Sequence, residues 1–190
     1  MSRLEELIQQ HCPDGVEYKK LGELGVFYGG LSGKTKEDFK DGNAKFISYK
    51  NVFYNLSLNI DTDERVKIVE GEKQNTIQYG DILFTGSSET PDECGMSSVL
   101  TQKTDEKLYL NSFCFGYRLH NPELFCLDFL KHLFRSSELR KQMEKYYGFY
   151  VSLLDAHSVI WQLNAANEFV ARMEEKYADI NLSQEVGKYL

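Results

Sequence analysis

Between Gly25 and Leu119 the apolar residues come in short runs broken by polar and glycine-bearing segments; after Asn121 they recur every three or four residues. That switch in period constrains the fold more than any other feature. Short runs read as strands and the later spacing as helix, so the chain is neither all-α nor all-β. The strand-like pieces are Gly25–Tyr28, Phe46–Tyr49, Arg65–Val69, Asp81–Thr85, Ser98–Thr101, Leu108–Leu110 and Phe113–Leu119. In the last of these Phe113, Phe115, Tyr117 and Leu119 alternate with Cys114, Gly116 and Arg118. Asn121-Pro122-Glu123 carries helix-start chemistry: a cap, a residue tolerated in the first turn, and an acid at the positive end of the dipole. Leu127, Leu130, Leu133 and Phe134 continue at helical spacing, and Ser136-Ser137 is expected to break the helix before a second segment from Glu138 to Tyr147. An S-x-x-E capping box at Ser2 and Glu5 opens a short N-terminal helix that Pro13-Asp14-Gly15 ends.

The tail differs. Val159, Leu163, Ala166, Val170, Met173 and Tyr177 are spaced as a heptad seam about two and a half repeats long. It fits either a helix pairing two chains or an amphipathic helix packed on its own domain. The expected organisation is an α+β domain over residues 1–150, built on a mixed β-sheet with flanking helices, and a helical, coiled-coil-like appendage over 151–190.

Composition bounds the function. No run of 18 apolar residues spans a membrane, and the N-terminus lacks an apolar signal core. Four cysteines without a CxxC pair fit a reducing, cytoplasmic setting. The net charge of −7 argues against a nucleic-acid binder working alone, because phosphate contacts come from Lys and Arg.

Several motifs suggest chemistry and fail on spacing. Gly29-Gly30-Leu31-Ser32-Gly33-Lys34-Thr35 looks like a phosphate-binding loop, but the pattern needs glycine where Tyr28 stands. The polar stretch from Lys36 to Gly42 also lacks the apolar helix that should support such a loop. Pro91-Asp92 with Asp105-Glu106-Lys107 mimics a Mg²⁺-dependent nuclease, yet both pieces lie in polar turns rather than on rigid strands. The four histidines have no metal-ligand spacing, and no G-x-S-x-G elbow is present.

Polar loops at strand ends are the feature left standing. They are Gly29–Lys45, Tyr49-Lys50-Asn51, Gly86–Ser98, Asn111-Ser112 and Gly148-Phe149-Tyr150. On one face they would offer Lys for phosphates, Ser, Thr and Asn for phosphates and base edges, and aromatic planes. The alternative is a set of ordinary solvated loops.

The order of pieces resembles the specificity (S) subunit of type I restriction–modification enzymes, its target recognition domain in particular. The similar stretches are LEELIQQHCPDGVEYKKLGEL, GKTKEDFKDGNAKFISYKNV, YGDILFTGSS, YLNSFCFGYRL and FLKHLFRS, and the resemblance runs from about residue 3 to 150. The resemblance implies a non-catalytic, half-length subunit. It would read one half of a split site in double-stranded DNA and present it to methyltransferase (M) and restriction (R) subunits. S-adenosylmethionine, ATP and Mg²⁺ would belong to those partners, and no metal or cofactor to this chain. The expected DNA contacts are Lys34, Lys36, Tyr49, Lys50, Ser87, Ser88, Thr90, Asn111 and Ser112, with Lys34, Lys36 and Lys50 on phosphates and Tyr49, Ser88, Thr90 and Asn111 facing bases. After Gly148 the sequence departs from the family's proline-rich segment, with no proline after Pro122; the expectation is a natural half-length subunit or a truncated product, without a second recognition domain. The heptad seam then offers a two-fold pairing of half-subunits. Two rival readings are a decoy subunit that binds partners without reading DNA, and the nuclease built on Asp92.

Overall fold

The computed structural model describes residues 9–10, 14, 19–86, 93, 95–137 and 139–141. Among these, a single-turn helix, α1 (Leu21–Leu24), leads into β1 (Gly25–Gly29), which with β5 (Ile82–Thr85), β6 (Ser97–Val99) and β8 (Cys114–Leu119) forms an antiparallel sheet in the order β1-β8-β5-β6. A second sheet, β3-β2-β7-β4, joins β2 (Ala44–Ile47), β3 (Arg65–Val66), β4 (Thr76–Ile77) and β7 (Leu108–Leu110). Its β2–β7 pair is parallel and the others antiparallel. The expected single mixed sheet is thus two sheets. The expected strands are present with shifted ends: β1 reaches Gly29, β2 begins at Ala44 and β6 at Ser97, while β3, β5 and β8 are shorter than expected; β4, only two residues long, left no periodic signal.

Alternation along the strands builds three apolar layers. Ile82 and Phe84 of β5 and Phe115, Tyr117 and Leu119 of β8 face a cluster covered by helix α3 (Leu127–Leu133) through Leu127, Leu130 and Leu133. The Phe84 and Phe115 rings stack there at 5.1 Å. Leu83 and Cys114, on the opposite face of the same strands, join Ile47, Ile77, Leu108 and Leu110 between the sheets. Phe46, Val66 and Tyr109 meet Leu31 on the far side of the second sheet. Each such side chain contributes on the order of 1.5–3 kcal/mol on leaving water. Burial in the middle layer raises the pKa of the Cys114 thiol.

Sheet 1 is therefore covered on both faces, which explains why β8 is buried at both phases of its alternation. Phe113 falls outside it, in the turn before β8, and is exposed. Gly116 is needed inside the strand: a Cβ there would meet the Tyr28 ring at 2.2 Å.

One buried polar knot fixes β1 against β5 and β8. Asp81, 1 % exposed, accepts two hydrogen bonds from Arg118, at 3.0 Å from Nε and 2.7 Å from Nη2. Its carboxylate also accepts the Tyr28 hydroxyl at 2.5 Å and the Gln78 N–H at 2.8 Å. Burial and the Asp81 carboxylate together push the Tyr28 phenol well above its ordinary pKa. Burial opposes the Arg118 charge, but Asp81 and Tyr28 together outweigh it and leave the guanidinium pKa raised. An Asp inside one apolar run and an Arg inside another are the sequence signal for such a pair, since buried charges must be matched.

The helices are shorter than their spacing suggests. Asn121 precedes a 3-10 turn, Pro122–Leu124, without a side-chain cap, and α3 starts three residues after that turn's last residue, at Leu127. It ends at Leu133; residues 134–136 interrupt it and residues 137 and 139–141 are helical again, so the expected break includes Ser136 but not Ser137. The Ser2–Glu5 box, the heptad seam from Val159 to Tyr177 and the boundary at 150/151 lie outside the described residues, although residues 9 and 10 are helical.

Candidate nucleic-acid interface

The turn Asn111-Ser112-Phe113 is where the expected loops meet. The C-terminal ends of β1, β2, β5 and β7 and the start of β8 converge on it. The Leu31 N–H donates to the Leu110 carbonyl at 2.8 Å and the Gly30 N–H to Cys114 at 3.2 Å. The Asn111 N–H donates to Ile47 at 3.0 Å, at the end of β2. The Gly86 N–H donates to the Phe113 carbonyl at 2.7 Å, so the loop after β5 leaves from the same place. Gly30 is there because the chains touch: an added Cβ would lie 2.0 Å from the Asn111 carbonyl oxygen.

The turn itself is an Asx turn, in which a side-chain oxygen binds a backbone N–H two residues on. The Asn111 Oδ1 accepts the Phe113 N–H at 2.8 Å, and the Cys114 N–H donates to the Asn111 carbonyl at 3.0 Å. Ser112 is exposed at its tip.

Tyr49-Lys50-Asn51 is not a loop. It is the first turn of helix α2, Tyr49–Tyr54, which begins two residues past β2. Asn51 is buried and clamps the next segment: its amide donates to the Asn59 carbonyl at 2.7 Å and its Oδ1 accepts the Asn59 N–H at 3.1 Å. Tyr49 is half-buried against the middle apolar layer, with its ring 5.9 Å from that of Phe53. Lys50 points to solvent. The far end of α2 is held by Arg135, whose Nη2 donates to the carbonyls of Val52 (2.9 Å), Phe53 (2.8 Å) and Ser97 (2.5 Å). Burial lowers the Arg135 pKa, and a cation at a helix C-terminus suits its dipole.

The Gly29–Lys45 loop sorts its lysines. The Lys34 side chain is only 8 % exposed; its ammonium pairs with Glu72 at 2.6 Å and donates to the Lys67 carbonyl at 2.7 Å. Lys40 pairs with Glu37 at 2.8 Å, and Lys45 pairs with Glu106. Lys34 therefore ties the loop to residues 67–72 instead of standing ready in solvent. Lys36 starts a 3-10 turn, Lys36–Phe39, closed by a capping box between Thr35 and Asp38. Lys36 and Lys50 are exposed and make no ion pair among the described residues.

Of the expected contacts, the fold brings Asn111 and Ser112 to the junction, Tyr49 and Lys50 beside it at the end of β2, and Lys34 and Lys36 along the loop leaving β1. Ser87, Ser88 and Thr90 follow Gly86 and lie outside the described residues, as do Asp92 of the nuclease reading and Gly148–Tyr150. Sequence reasoning missed Phe113, 46 % exposed at the junction, because its place in an alternating run read as core. Among the described residues no group of three or more His, Cys, Asp or Glu side chains is placed to hold a metal ion, and no helix is long and apolar enough to cross a membrane.

The architecture defines a mixed α/β domain with polar turns gathered at one edge of two sheets. Known structures similar to it are type I restriction–modification S subunits. One, from M. genitalium, matches at TM-score 0.43 and 15 % identity over 97 % of this chain and 46 % of its own. Another, described in work on assembly and conformational transition of the type I system, matches at 0.41 and 16 %, covering 92 % and 50 %. The HsdS subunit from Thermoanaerobacter tengcongensis matches at 0.37 and 15 %, covering 92 % and 49 %. The chain thus spans about half the length of the solved structures it matches. No protein-family model and no curated protein matches it.

Proposed function

We propose that this chain is a sequence-specific DNA-recognition domain of the type I restriction–modification specificity class. It reads one half of a bipartite target and presents it to methyltransferase and restriction subunits. The observation that carries the reading is the convergence on the 111–113 turn. The stretches resembling that family are far apart in sequence, with GKTKEDF in the loop after β1, DILFT on β5 and YLNSF at the end of β7, yet the segments that follow β1, β5 and β7 leave from one edge.

Within this reading Lys36 and Lys50 touch phosphates and fix register, while the exposed Ser112 and the loop after Gly86, with Ser87, Ser88 and Thr90, face base edges. Tyr49 supports the junction from its half-buried position. Lys34, committed to Glu72, shapes the loop. The chain performs no chemistry; methyl transfer and cleavage, with their S-adenosylmethionine, ATP and Mg²⁺, stay with the partners. A net charge of −7 is compatible with this division, because partner subunits add cations around the same duplex. A tail-built dimer through Val159–Tyr177 would place two such domains on an inverted pair of half-sites.

Co-expression with the methyltransferase partner in a host lacking adenine methylation tests the reading. Methylated adenines should map to one short motif and disappear when this chain is omitted. Methylation that is absent, or unchanged without the chain, refutes it.

A further inference from the structure

We propose that Phe113 is a specificity-determining residue of this interface, its ring packing against the 5-methyl group of a thymine in the major groove; the inference rests on the DNA-recognition reading above. Phe113 stands at the meeting point of the loops, and nearly half of it is exposed. Its backbone is fixed at both ends: the N–H by Asn111 Oδ1 at 2.8 Å, the carbonyl by the Gly86 N–H at 2.7 Å. The ring is therefore presented on a rigid platform, where a small apolar contact can discriminate rather than be lost to motion.

The chemistry of duplex DNA narrows what such a ring can meet. Base faces are stacked away, and the apolar group on a base edge in the major groove is the thymine methyl. Insertion between base pairs is the other use of a phenylalanine, but it requires a side chain standing clear of its domain. More than half of the Phe113 surface is already covered, which favours contact with a base edge over insertion between base pairs.

Asn111 takes a different role from the base reader expected of it. Reading adenine in a bidentate manner uses both the amide oxygen and nitrogen. Here the oxygen is held by the Phe113 N–H, so Asn111 is a positioning residue that aims the ring.

The test uses the full chain, with its methyltransferase partner, on its selected duplex, replacing each thymine in turn by deoxyuridine. This removes one methyl group and nothing else. At one position the wild type should lose about four-fold in affinity, the worth of one buried carbon. Phe113→Ala should show no loss on that substitution, and Asn111→Asp, which keeps the turn's acceptor, should retain it. The proposal is overturned if Phe113→Ala binds the target specifically with the same deoxyuridine sensitivity as wild type at every thymine. It is equally overturned if Phe113 instead controls the unstacking of a base step, read by 2-aminopurine fluorescence. If the wild type shows no specific binding at all, the recognition reading itself fails, and this inference with it.

Discussion

Gly30→Ala is the sharpest probe of how the junction is built. The added Cβ would sit 2.0 Å from the Asn111 carbonyl oxygen, 2.7 Å from its carbon and 2.9 Å from the Leu110 oxygen. These are backbone atoms held in β7 and its turn, so no side chain can swing aside. Relief requires the two segments to part by roughly 1 Å, since carbon and oxygen do not approach much closer than ordinary van der Waals separation. That stretches the 2.8 Å bond from Leu31 to Leu110 and the 3.2 Å bond from Gly30 to Cys114 past useful length. Two hydrogen bonds at ~1 kcal/mol each, with ~1–2 kcal/mol of overpacking strain, outweigh the ~0.4–1 kcal/mol that alanine recovers from the unfolded chain. The net loss should be about 2–3 kcal/mol in urea unfolding followed by circular dichroism. Gly29→Ala is the control: nothing lies within 4 Å of its added Cβ, so its stability should hold or rise by up to ~1 kcal/mol. Equal stability of the two variants would refute the packing of the β1 loop on the Asn111 turn.

Other perturbations separate structure from readout. Arg135→Met should cost about 2–3 kcal/mol in the same assay, because three carbonyls lose one charged donor. Lys50→Glu should weaken binding to every DNA sequence alike and lower the salt-dependence slope by about 0.9, the signature of one lost phosphate contact. A changed sequence preference would mean that Lys50 reads bases. Glu72 is held at a pKa of about 2 by the Lys34 ammonium first, then by the Val69 N–H and Gln74. Its contribution is therefore present above the ordinary glutamate pKa and lost as pH falls toward about 2. Glu72→Gln should flatten the pH dependence of stability in that acid window and leave other regions unchanged, and an unchanged profile would discount the pair.

The strands were legible because each is a short apolar run bounded by turn residues, and all seven expected pieces form strands in the described structure. Their division into two sheets was not legible. It depends on β2 and β7 pairing in parallel across more than sixty residues, and no local pattern encodes a partner that distant. Phe113 shows a second limit: period two extends one residue beyond the strand, so an exposed junction residue looked like core. Tyr49 to Asn51 shows a third. Polar residues after a strand suggest a loop, yet Asn51 turns inward to bind Asn59, and α2 forms with Arg135 closing its end. The lysines of the β1 loop were alike in sequence; tertiary contacts to Glu72 and Glu106 set Lys34 and Lys45 apart from the exposed Lys36, while Lys40 pairs locally with Glu37. The junction was legible as a list of loops, each at a strand end, but not as a place.

The most direct test of the central claim is selection of bound duplexes from a random oligonucleotide pool by this chain co-purified with its methyltransferase subunit. The account predicts enrichment of one short motif, with Lys50→Glu lowering the yield but not the motif. A pool that stays random while the methyltransferase remains bound would contradict it and leave a partner-binding chain that reads no DNA.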